Sequence, residues 1–223
     1  MSAPGDDFIA PFCAGQIDIL LQDEHILLIN KPSGLLSLSG KNPLNKDSVH
    51  FRLAQMFPGI TMVHRLDFGT SGIMVLAFSK AVNASLTKQF QNRTVQKTYI
   101  SVLSGHLDCE HGSIDAPIAK DSPNFPYQKI CYEKGKQALS RFKVLSTSSN
   151  PATSRVLFTP ETGRTHQLRI HSREMGYPIL GCDLYGTPQT QAMSSRLLLH
   201  ALTLDFDHPV TGERVLGRCE CPF

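Results

Sequence analysis

The sequence predicts a mixed α+β fold. Short apolar runs that read as strands outnumber helical periodicities, the two do not alternate regularly, and no internal repeat or low-complexity linker interrupts the chain. At 223 residues the chain can bury a sizeable core without disulfide or metal support. Apolar residues at 41% and charged residues at 18% exclude disordered and fibrous classes.

Residues 1–20 read as an N-terminal leader, loose to about residue 16, and residues 21–223 as one domain. Ile26–Ile29 is an apolar run ended by Asn30-Lys31-Pro32-Ser33-Gly34, which predicts a buried strand and a turn. From Ser48 to Phe57, residues Val49, Leu53 and Phe57 share one helix face, and Pro58-Gly59 stops the helix. A polar turn at Asp67–Gly72 leads into the apolar strand Ile73–Phe78. Val82, Leu86 and Phe90 then mark a helix from about Lys80 to Gln91. Tyr99–Leu103, Ala138–Leu145 and Ser154–Phe158 read as strands, and Ser146–Asn150 as a turn. Gly163 to Gly176 reads as a turn into a short helix, ended by Gly176 and followed by Pro178. Leu202, Leu204 and Phe206 alternate with Thr203 and Asp205, the period of a strand.

The net charge of +3 excludes whole-protein polycation behaviour, so any nucleic-acid footprint must be local. The charge is unevenly spread. No acid occurs from Phe68 to Leu107, where Lys80, Lys88, Arg93 and Lys97 lie. From Ser122 to Pro160 Glu133 stands alone against Lys129, Lys134, Lys136, Arg141, Lys143 and Arg155. Such stretches are either solvated surface or a basic track for a phosphate backbone. No apolar run approaches a membrane span, and the start lacks a secretory signal, so a cytoplasmic monomer is expected. The six cysteines contain no Cys-x-x-Cys spacing and read as reduced thiols, with no metal site expected.

The densest chemistry lies in His64-Arg65-Leu66-Asp67-Phe68-Gly69-Thr70-Ser71-Gly72. A carboxylate beside Arg and His is ordinarily a structural ion pair. Here Asp67 sits in a turn whose small residues let a ligand approach, ahead of a wholly apolar strand that would hold the turn rigid. Such a carboxylate can serve as nucleophile or base when a cation accompanies it. Gly163-Arg164-Thr165-His166-Gln167-Leu168-Arg169-Ile170-His171 offers cations. With a helix beginning near Thr165, Gln167 and His171 share a face and Arg169 lies about 40° from Thr165, free to point inward to a carboxylate. Arg164 at the turn would face a phosphate. His166 and His171 lie five apart rather than the four of a zinc helix. Gly69-Thr70-Ser71-Gly72 lacks the lysine of a phosphate loop, no dinucleotide fingerprint occurs, and Ser71 has no evident triad. No cofactor is expected.

These residues resemble the RluA-type pseudouridine synthases. The stretch His64-Arg65-Leu66-Asp67-x-x-Thr70-Ser71-Gly72 is similar to that family's catalytic motif at every fixed position. It is accompanied, in order, by Asn30–Gly34, Lys97-Thr98-Tyr99 and Gly163–His171. Three further stretches resemble the branch that modifies both 23S rRNA and a tRNA anticodon loop. They are Lys46–Val49, Cys131–Lys136 and Arg196–Ala201, and that branch also lacks an appended N-terminal RNA-binding domain. Two positions depart from the family: Cys182 replaces a usual Asp, and Tyr177 occupies a common His position.

The resemblance implies a pseudouridine synthase catalytic domain over residues 21–223. Its mixed, mostly antiparallel central sheet would be flanked by helices, with an active-site cleft across the sheet. The implied reaction isomerises uridine in RNA: the N1–C1′ bond breaks, the uracil turns, and C5 bonds to C1′. The implied targets are uridine 746 of 23S rRNA and uridine 32 of tRNA anticodon loops. A competing class is an RNA-binding module that keeps the motif without the activity; a small-glycoside hydrolase would need a second placed carboxylate. The resemblance makes Asp67 the catalytic carboxylate, attacking C1′ or removing the C2′ proton. It has Arg169 ion-pair with Asp67, Tyr99 stack on the uracil, and Arg65 fill the gap left by the flipped base. His64, Thr70, Lys31, Lys97, Arg164 and His171 are implied RNA contacts.

Overall fold

The computed structural model describes residues 8–223. In chain order its elements are β1 (Asp18–Gln22), β2 (Ile26–Lys31), α1 (Val49–Met56), β3 (Thr61–Met62), β4 (Ser71–Ala77), α2 (Lys80–Asn92), β5 (Gln96–Ser104) and β6 (His111–Asp115). There follow β7 (Ile118–Lys120), β8 (Gln128–Ile130), β9 (Leu139–Ser149), β10 (Ala152–Pro160), α3 (Gln167–Glu174), α4 (Pro188–Ala192), β11 (Leu199–Asp207) and β12 (Arg214–Arg218). The chain divides into two units: one runs to Lys97 and takes in Ala201–Pro222, the other comprises Thr98–His200 with Phe223.

In the first unit the strands run β1-β2-β4-β11, with β3 on β4 and β12 on β11. The β2–β4 pair is antiparallel from Ile26↔Ala77 to Lys31↔Gly72. Ile26–Ile29 and Ser71–Ala77 are buried throughout, which explains their unbroken apolar runs: an alternating pattern belongs to a strand with one wet face. Gly72 is required at its place. Its φ is +116°, and an added Cβ would fall 2.2 Å from the Ala201 carbonyl oxygen. Ser48 caps α1 by accepting from Phe51 N, and Ser79 caps α2 by accepting from Val82 N, so both helices begin where their apolar faces begin.

The expected leader is not loose over its described part. Arg52 donates to the carbonyls of Cys13 and Gly15, each at 2.6 Å, Asn45 binds Phe8 O and Ala10 N, and β1 pairs antiparallel with β2. Residues 1–7, the remainder of that expectation, lie outside the described residues.

In the second unit β5, β10, β9 and β6 lie side by side in that order, each pair antiparallel. On β10 Ser154, Val156, Phe158 and Pro160 are buried in alternation. They face a core that includes Leu103, Ile114, Phe142, Leu168, Ile170 and Tyr185. Ser146–Ser149 are not a turn as expected: β9 continues to Ser149, opposite Ala152, and the reversal falls at Asn150-Pro151. Partner backbone on β10 satisfies these Ser and Thr residues, so their turn preference is overridden. β7 and β8 pair apart as a short hairpin, and Thr187 with Thr190 closes a capping box on α4.

Candidate active site

Strands β2 and β4 are antiparallel, so the loop leaving β2 and the loop entering β4 emerge at the same end of the sheet. These loops carry Pro32–Ser37 and His64–Thr70. Every carbonyl from Leu66 to Gly69 is held. Ser37 Oγ donates to Leu66 O at 2.7 Å and accepts from Leu66 N at 3.2 Å. Asp67 O accepts from Thr70 N at 3.1 Å, closing the turn. Phe68 O accepts from Gly34 N at 2.9 Å and from the Lys31 ammonium at 3.2 Å, and Gly69 O accepts from Ser33 Oγ at 2.6 Å. The same ammonium donates to Pro32 O and Leu35 O, and Lys31 is fully buried. Asp67 itself is half-buried and its neighbour Arg65 is exposed. The result is a carboxylate on a backbone that cannot drift.

His64 borders this turn. Its Nε2 accepts from Val75 N at 3.1 Å, and its ring stacks on Phe90 of α2 with centroids 4.7 Å apart. Burial, and then the charge of Lys97, pushes the imidazole down to about 3, so it stays neutral. Lys97, half-buried, is itself pushed down to about 8 by burial and then by Arg93.

In the second unit α3 begins after His166, whose φ is +57°, so Thr165 lies outside the helix. Gln167 fixes this start. Its Oε1 accepts from Thr162 Oγ1 and Arg164 N, while its Nε2 donates to Leu139 O and Ser140 Oγ. Arg169 is buried one position below Leu168. Its guanidinium pairs with Asp183, its Nε donates to Cys182 Sγ at 3.4 Å, and it lies over the Tyr185 ring at 5.4 Å. The Tyr185 hydroxyl accepts from Gln128 N and bonds His166 Nδ1, both at 2.8 Å. This chain therefore offers Arg169 a thiol at position 182 and a carboxylate one residue later. Tyr99 is half-buried on β5, opposite Phe158. Arg164 is half-buried and donates from Nε to Gln137 O at 3.0 Å.

A family model described as RNA pseudouridylate synthase matches residues 25–174. The chain belongs to that family. The dual-specificity RNA pseudouridine synthase RluA of Yersinia pestis is 48% identical over 205 residues, 92% of this chain and 99% of the relative. Its namesake in Escherichia coli K12 is 43% identical over 92% of this chain and 93% of its own. Among solved structures, human RNA pseudouridylate synthase domain containing 1 superposes with a TM-score of 0.79 at 30% identity, over 96% of this chain and 86% of that one. Human domain containing 4 gives 0.74 at 27%, over 92% and 88%. The protein is thus an RluA-type RNA pseudouridine synthase, an isomerase with the mixed, mostly antiparallel fold of that family. Among the described residues, no helix is long and apolar enough to cross a membrane.

Three residues expected to touch RNA have partners within the protein. Lys31 spends its ammonium on three carbonyls. His171 is fully buried, its ring nitrogens engaged by Ser140 Oγ and Ala116 O at 3.0 Å each. Thr70 is 2% exposed and its N–H closes the Asp67 turn. Sequence reasoning missed Ser33, Ser37, Asp183 and Tyr185.

Proposed function

We propose that Asp67 is the carboxylate that carries out the isomerisation in this synthase. Tyr99 lies against the extruded uracil, Arg169 orients the carboxylate, and Arg65 fills the vacated stack. Lys97 and Arg164, with the lysines and arginines of the two acid-poor stretches, hold the phosphates. The observation that carries this reading is the Asp67 turn. Its backbone is tied at four successive carbonyls, yet Asp67 is only half-buried. Pre-set geometry of this kind is what a reaction at a sugar carbon needs, because the reacting atoms must be held while the base turns. A paired uridine is unreachable, so the target lies in a loop and is flipped out at about a few kcal/mol.

The targets we infer are uridine 746 of 23S rRNA and uridine 32 of tRNA, modified in the cytoplasm. Support comes from relatives at 43–48% identity that are named dual-specificity RNA pseudouridine synthases. Pseudouridine mapping of total RNA from cells with and without the gene tests this. Loss of the modification at both positions is expected; intact modification at both, with loss elsewhere, refutes the assignment.

A further inference from the structure

Among the groups that hold the Asp67 turn, the Ser37 hydroxyl has a distinct position. The Leu66 carbonyl and the Asp67 N–H belong to one rigid peptide plane, and that plane with the next one sets the backbone torsions of Asp67. The second plane carries Asp67 O, which Thr70 N holds. The first is held by Ser37, whose single oxygen donates to Leu66 O and accepts from Leu66 N. Both partners are buried, Ser37 at 5% and Leu66 at 8% exposure, so water does not substitute readily.

Ser37 is in turn anchored by a helix. The first N–H groups of α1 have no partner inside the helix, and two of them turn to this segment. Val49 N donates to Leu36 O at 2.8 Å, and His50 N donates to Ser37 O at 3.2 Å. The chain of support therefore runs from α1 to the Ser37 backbone, through its hydroxyl to the Leu66 peptide, and on to Asp67. Ser39, two residues on, makes a useful contrast. Its hydroxyl donates to Lys46 O and meets Ser48 Oγ, and both partners lie outside the Asp67 turn.

We propose that Ser37 is a positioning residue for the Asp67 carboxylate, its one hydroxyl fixing the peptide plane from which Asp67 hangs. The proposal rests on Asp67 being the reacting carboxylate. A misplacement of the carboxylate would slow the chemical step and leave RNA binding alone, because Ser37 is buried beneath the turn.

The test is single-turnover pseudouridine formation in a stem-loop RNA at saturating enzyme, with the Kd for the same RNA measured alongside. Ser37→Ala is expected to slow the rate about 10- to 100-fold with Kd within about twofold. Ser39→Ala is expected to keep the rate. Ser37→Thr, which retains the hydroxyl, is expected to recover most of it. If Ser37→Ala does not fold, Ser37→Cys, close in size but a poor donor, reads the same split. A parental rate in the variant lacking the hydroxyl, an equal loss in Ser39→Ala, or a loss explained by Kd overturns the proposal. An Asp67→Asn arm separates the two readings: activity in that variant refutes Asp67 as the carboxylate, whereas its inactivity beside a fully active Ser37→Ala refutes only the positioning role.

Discussion

The ammonium of Lys31 donates to the carbonyl oxygen of Phe68 at 3.2 Å, across 37 residues of sequence and with no part of Lys31 exposed. The residue that ends strand β2 thus holds the residue next to Asp67, and its charge is dispersed over three carbonyl dipoles in place of water.

Lys31→Met removes this donor and leaves the buried Leu35 carbonyl without its ammonium, so urea unfolding should show a loss of about 1–3 kcal/mol. The slope of log K for RNA against log salt should not change, because no phosphate contact is lost. A slope shallower by about 0.7–0.9 would return Lys31 to the RNA surface.

His64 makes stability fall in acid. The unfolded imidazole takes up a proton near its ordinary 6.5 and the folded one only near about 3. Between those values the unfolded chain holds more protons, so folding weakens as pH drops through that window. His64→Gln should lose less of its thermal midpoint than the parent between about pH 7 and 4.5. An equal drop would mean that the ring titrates normally.

Much of the fold was legible because burial writes itself into spacing. β2, β4, α1, α2 and β10 carry apolar patterns that match their buried positions. What stayed hidden depends on partners distant in sequence. β12 has Leu216 exposed at 69% and Gly217 buried against Ile73 and Leu28, a pattern no periodicity announces. Lys31 in a Pro-Gly turn reads as a solvent-facing cation until the carbonyl of Phe68 is placed beside it. His171 shows the same limit: its role follows from Ser140 and Ala116, on other strands and loops. The Asp67 turn was found from local chemistry, whereas Ser37, which holds it, carries no local signature.

With Lys97 on the phosphates, as proposed, RNA binding should show a pH dependence of opposite sense to that of His64. Its ammonium, pushed down to about 8 by burial and then by Arg93, is lost as pH rises through that value. Affinity for a stem-loop RNA should therefore weaken between about pH 7 and 9, and Lys97→Arg, which stays charged, should flatten the change. The same pH profile in that variant as in the parent would remove Lys97 from the interface.

Release of tritium from uridine C5 in a labelled stem-loop RNA reads the reaction itself, since that hydrogen leaves only when C5 bonds to the sugar. The parent should release it, while Asp67→Asn should release none and bind the RNA with a Kd within about twofold of the parent. Release by Asp67→Asn at the parental rate would contradict the account.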